Sequence, residues 1–188
     1  MRLKRYFLAA PAILIVLGAL FLFLKPEDSS QTVSRAKERT PKRRPQALTK
    51  SAANLYFADK DNFFLIAETR TLARPGEPEE FGKVIFQALE KGPSARLTRT
   101  IPTGASVRAL YLGENGTAVI DLSESVSENH PGGCKTELLT VYSLVNSLVL
   151  NIPEIDSVKI LIGGREAMTL AGHMDLRFPF KANMLLVR

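Results

Sequence analysis

Residues 106–122 read SVRALYLGENGTAVIDL. Two strand-like runs, 106–112 and 117–122, flank Gly113-Glu114-Asn115-Gly116, and the Asn-Gly pair tolerates the positive φ of a tight turn, so the stretch predicts a β-hairpin. Upstream, Pro75-Gly76-Glu77-Pro78 breaks an extended run. Pro78 suits a first helical position, Glu79 and Glu80 face the positive end of a helix dipole, and Lys91-Gly92-Pro93 stops the helix. Phe81, Val84, Ile85, Ala88 and Leu89 fall at i, i+3, i+4, i+7 and i+8, with Glu80, Lys83, Gln87 and Lys91 on the other side, so one face of this helix covers a core. Further upstream, Leu55-Tyr56-Phe57 is a short apolar strand, and the turn chemistry of Asp59, Lys60, Asp61 and Asn62 leads into a second strand over 63–72. Downstream of the hairpin, residues 135–150 make a second helix, 157–162 a strand, Gly163-Gly164 a turn, and 165–170 a returning partner strand. The order β, β, α, β, β, α, β, β predicts an α+β fold, a mixed β-sheet packed with two main helices.

The rest of the chain is of a different kind. Its 188 residues are 45% hydrophobic and 23% charged, which is globular usage, and one Cys excludes a disulfide framework within the chain. The net charge of +6 is unevenly placed: Arg2, Lys4 and Arg5 open the chain, residues 25–51 hold eight basic against three acidic side chains, and 52–188 keep 14 basic and 16 acidic. The foldable part is mildly acidic, which argues against a nucleic-acid partner. Residues 6–24, YFLAAPAILIVLGALFLFL, carry no charge and are long enough for one transmembrane helix. A cleaved signal peptide is the rival reading, but no small-x-small site follows the run, and the only Cys, at 134, is too distant for a lipid anchor. More basic residues follow the span than precede it; the compact Arg2, Lys4, Arg5 cluster against the membrane nevertheless places the amino terminus inside. The expected organisation is a cytoplasmic tail over 1–5, a signal anchor over 6–24, a basic flexible linker over 25–51 and a folded domain over 52–188. TPKRRPQ at 40–46 reads as part of a solvated stalk rather than as a polyanion-binding patch.

Several strings resemble the GerMN domain family: Leu55-Tyr56-Phe57, Leu89-Glu90-Lys91-Gly92-Pro93, Ile101-Pro102-Thr103-Gly104, Val119-Ile120-Asp121-Leu122-Ser123, Glu137 on a helix running into Val145-Asn146-Ser147-Leu148, and Gly172-His173-Met174-Asp175. Their order and spacing cover nearly all of 53–180. The resemblance implies an extracytoplasmic domain of the bacterial envelope without known catalysis, similar in architecture to ring-building modules of membrane complexes. This chain departs from that pattern in having a single copy of the domain and a helical rather than lipid anchor, which the apolar run and its basic flank set in the bacterial inner membrane with the domain outside the cytoplasm.

Candidate chemistry is sparse. Cys134 precedes a helix in His130-Pro131-Gly132-Gly133-Cys134, where a dipole would lower a thiol pKa and His130 would act as base, but no third group orients the pair. His130, Cys134, Glu137 and His173 are zinc-competent types at a spacing that matches no zinc pattern, so neither a metal nor another cofactor is expected. Asp121 and Ser123, at a strand end, are read as bonding local backbone amides. The second helix is the unusual element. Leu138, Val141, Tyr142, Val145, Leu148 and Val149 form its apolar face, while the remaining surface shows Thr136, Thr140, Ser143 and Ser147, small neutral side chains where an exposed helix carries Lys and Glu. Either the domain's own sheet or terminal segment covers this stripe, or a partner does. On the second account Thr140, Ser143 and Ser147 are the interaction residues of a non-enzymatic envelope scaffold whose partner is another envelope protein or a second copy; the alternative function is binding or hydrolysis of cell-wall polymer or another ligand.

Overall fold

The structure, a computed structural model, describes residues 49–94 and 96–188; the expected tail, membrane span and linker up to residue 48 lie outside these. The described residues open on β1, Thr49–Ala58, which pairs antiparallel with β2, Leu65–Arg74, in unbroken register from Thr49 opposite Arg74 to Ala58 opposite Leu65. The strand therefore begins three residues inside the segment expected to be linker. The turn between them is held by Asp59, whose Oδ1 accepts the N–H groups of Phe63 and Phe64 at 2.6 and 3.1 Å.

Helix α1, Pro78–Glu90, has the expected boundaries and buries Phe81, Ile85, Phe86, Ala88 and Leu89. Gly82 on the same face lets the helix approach the sheet, since a Cβ there would lie 2.8 Å from Leu110 Cδ1. The central hairpin forms as the Asn-Gly signal predicts, with β3 as Val107–Leu112, β4 as Thr117–Leu122 and Gly116 at a φ of 74°. A short helix α2, Ser125–Glu128, precedes α3, Cys134–Val149, and β5, Ser157–Ile162, then pairs parallel to β4.

The fold is α+β, but the described residues form two sheets rather than one: β1-β2, and a mixed sheet in the order β3-β4-β5. The expected returning strand over 165–170 is reduced to one bridge, Ile162 with Arg165. Beyond it the backbone turns on itself, with Leu170 N–H on Met174 O, and reaches the free edge of β5 only at Phe180, which exchanges both bonds with Val158 at 2.8 Å. Leu55 and Phe57 of β1, Phe81 and Ile85 of α1, Ile120 of β4, Val158 and Ile160 of β5, and Leu144, Val145 and Leu148 of α3 share one core. Tyr56, Ala58, Leu65 and Leu139 form a smaller cluster under Leu186 and Val187. Among the described residues no helix is long and apolar enough to cross a membrane.

Candidate functional site

In an antiparallel pair, alternate residues turn their N–H and C=O away from the partner strand. On β1 these are Lys50, Ala52, Asn54, Tyr56 and Ala58, and the last three are met. Asn54 N–H donates to Asn151 Oδ1 at 2.9 Å while Asn151 Nδ2 returns a bond to Asn54 O at 2.8 Å. Tyr56 N–H donates to Ser147 Oγ at 3.1 Å and the Ser143 hydroxyl donates to Tyr56 O. Ala58 exchanges both bonds with Thr98, at 3.2 and 2.7 Å. Side chains of α3 and the residue two positions beyond it thus take the place of a third strand. Thr140 completes the row by donating to Thr100 O at 2.7 Å, and Thr100 Oγ1 lies 2.6 Å from Ser143 Oγ.

Thr140, Ser143 and Ser147 are consequently interior, with relative exposures of 4%, 0% and 0%. This corrects their reading as an interaction surface: the domain's own sheet covers the stripe. The physical reason is that an edge strand packed against a helix needs hydroxyls or amides to replace lost water, and only small ones fit between the backbones.

Around the amino-terminal turn of α3 lies a cleft of about 270 Å³ lined by Asn62, Arg99, Pro102, Asn129, His130 and Thr136, among others. His130 Nδ1 accepts the Gly132 N–H at 3.0 Å, and Nε2 lies 2.9 Å from Thr140 Oγ1. The Thr140 hydrogen is already given to Thr100 O, so the imidazole is neutral with its proton on Nε2. Burial holds its pKa below the ordinary imidazole value against the opposing pull of Glu137. Cys134 opens the helix and is exposed. Both ring nitrogens of His130 are engaged elsewhere, which leaves the ring no free position from which to act as base for this thiol.

Glu137 is fully buried in the first turn of α3. Its Oε2 accepts the N–H groups of Ala171, His173 and Met174 at 3.0, 3.0 and 2.8 Å, and its Oε1 accepts the His173 Nδ1 proton at 2.7 Å. Burial alone would raise the carboxyl pKa; the backbone donors and the ring overcome it and bring it down to about 2. The sequence pair Glu137 and His173 is therefore brought together as a clamp on the 171–174 loop, while His130 and Cys134 stay apart from it in role. Among the described residues no group of three or more His, Cys, Asp or Glu side chains is arranged to hold a metal ion.

Asp121 does bond backbone, but not locally: its Oδ1 accepts Gly164 N–H at 2.8 Å and its Oδ2 accepts Arg108 Nε–H at 3.0 Å, tying β4 to the turn after β5. Ser123 Oγ accepts Ser106 N–H at 3.0 Å across the hairpin base. The family model described as Germane, sporulation and spore germination, matches residues 54–167. The chain belongs to the Germane family. Its fold is similar to the tandem GerMN domains of the sporulation protein GerM from Bacillus subtilis, with a TM-score of 0.59 at 21% identity over 71% of this chain and 46% of that one. The chain thus spans about half the length of the tandem structure. The first GerMN domain of the same protein gives 0.54 at 21% identity over 71% of this chain and 98% of that one. A candidate lipoprotein from Clostridium perfringens gives 0.52 at 24% over 70% and 87%. No curated protein matches the sequence.

The Germane match runs from the first stripe-bound residue of β1, Asn54, to just past β5, and so contains the stripe and the cleft; the Glu137-held loop lies beyond it. Two supporting residues escaped the sequence reading. Asn151 stands four positions after Ser147 and extends the same row, a signal the spacing carried. Asn146, also fully buried, binds both backbone groups of Asn183, at 2.9 and 3.1 Å, and nothing local in the sequence announces that pairing.

Proposed function

We propose that this Germane protein is a membrane-tethered, non-catalytic interaction module of the bacterial cell envelope, anchored through residues 6–24 with its domain outside the cytoplasm. The observation that carries this reading is where its reactive side chains are engaged. His130, Glu137, Asp121 and the hydroxyls of Thr140, Ser143 and Ser147 all bind backbone or one another. Groups so engaged stiffen a domain, and a stiff domain on a charged stalk suits assembly rather than turnover. The apolar run, the family's sporulation and germination context and the lipoprotein among the similar folds agree with an envelope setting.

The test uses the full chain with a reporter fused after Arg188. Activity only outside the cytoplasm is expected, and cytoplasmic activity overturns the topology. Purified protein incubated with cell-wall polymer should release no soluble product. Release that disappears in Cys134→Ser would replace the interaction reading with a hydrolytic one.

A further inference from the structure

His130 stands in a chain of three hydrogen bonds whose directions are all fixed. Thr140 gives its hydrogen to Thr100 O at 2.7 Å, so His130 Nε2 donates to Thr140 Oγ1 at 2.9 Å and His130 Nδ1 accepts the Gly132 N–H at 3.0 Å. Only a neutral ring can do both. An imidazolium has two donors and no acceptor, so a proton on Nδ1 points two N–H groups at each other. The Thr140 side has no room to yield, because that hydroxyl lies on the buried face of α3 and already serves the Thr100 carbonyl. The conflict therefore falls on the loop. Pro131 has no N–H to anchor it, and a side chain at Gly132 would meet nothing within 4 Å, so no packing presses Gly132 onto the ring. Gly132 O accepts the Thr136 hydroxyl at 2.8 Å, which ties the loop to α3 but not to His130.

We propose that His130 is a proton-operated latch: a proton on Nδ1 expels the Gly132 N–H and frees residues 131–133, the loop that carries Pro131 along the cleft and leads into α3. The latch goes beyond the interaction-module reading and does not depend on it. The groups around the ring set where it opens. Burial opposes the proton, and Glu137 on α3 favours it less strongly. Arg99 is the one charged side chain among the described residues lining the cleft, and its guanidinium donates to Glu90 O and Lys91 O. Lys135 of α3 lies over the Phe63 ring, and Glu128 of α2 is exposed. The closed state thus binds the proton more weakly than the open one. It keeps its full advantage above the free imidazole value of about 6.5, and each pH unit below that raises the open fraction by up to about tenfold, the linkage limit for one proton, until the closed-state pKa is reached.

Amide hydrogen exchange of the full chain in detergent micelles, read residue by residue by NMR and corrected for the intrinsic effect of pH, tests the latch. Protection at Gly132 should fall by about three- to tenfold between pH 7.5 and 5.5. The opening is local, so low concentrations of urea should leave exchange at Gly132 unchanged while accelerating it at Tyr56, whose N–H is held by Ser147 in the interior. His130→Asn supplies an amide oxygen that accepts the N–H two residues on, as in an Asx turn, and does not titrate; it should keep Gly132 protected at both pH values. His130→Ala has no acceptor and should leave Gly132 unprotected at both. Protection at Gly132 that is indifferent to pH in the unsubstituted chain, that falls equally in His130→Asn, that survives in His130→Ala, or that responds to urea as Tyr56 does overturns the latch.

Discussion

Glu137 shows how one residue sets an acid limit on the domain. Its folded pKa of about 2 lies below the unfolded carboxyl value of 4.5, so its stabilisation is complete above pH 4.5 and is lost as pH falls toward 2. The loss amounts to about 3 kcal/mol, and urea titrations at pH 6, 4 and 3 should trace it. His130 adds an earlier step of the same sign: burial depresses its pKa, so the unfolded chain takes up the proton first and stability falls as pH drops below about 6.5. Glu137→Gln should remove roughly 3 kcal/mol at neutral pH, because an amide cannot accept all four donors and its own N–H₂ faces backbone N–H groups. The same titration on this variant should lack the step below pH 4.5. Cys134, exposed and without a structural partner role, should be replaceable: Cys134→Ser is expected to shift stability by less than about 1 kcal/mol and to keep cellular function.

At the scale of elements, α3 serves two sheets with two faces. Its apolar side enters the main core, and its hydroxyl side closes the edge of β1. Ser147→Ala strands the buried Tyr56 N–H and should cost about 1–3 kcal/mol in chemical denaturation. Ser143→Arg inserts bulk and an unpaired charge into a site of zero exposure, so it should abolish cooperative melting by circular dichroism rather than leave a soluble, non-associating domain. The sequence made this helix conspicuous through its missing charges, yet the same pattern suits a partner surface and a strand-closing surface. Which face a neutral stripe meets depends on a backbone about 90 residues away in the chain.

Over the whole molecule, the last residues act as a strap. Leu186 and Val187 pack on the Tyr56, Ala58, Leu65 and Leu139 cluster, Asn183 is held by Asn146, and Arg188 bonds Leu65. Deleting residues 183–188 uncovers that cluster and leaves a buried amide without partners. The melting temperature should fall by an amount corresponding to about 3 kcal/mol or more, with dye binding reporting the exposed apolar surface. Lys159, buried on β5, donates to the carbonyls of Leu176 and Arg177 and so fixes the chain a few residues before the strap.

The locally encoded parts were legible in the chain read in order: both hairpins, the limits of α1, β5 and the α+β order, because turn residues, caps and periodicity act over a few positions. The same local logic misplaced the strand over 165–170. Its residues read as extended, but Glu137, some 34 positions earlier, captures the amides that follow and turns the chain away from β5. It took the tertiary contacts to divide the described strands into two sheets, to turn the hydroxyl stripe inward and to close the edge of β1 over residues 54–58. Each of these depends on which distant group satisfies a backbone donor or acceptor, and a chain read in order does not carry that pairing.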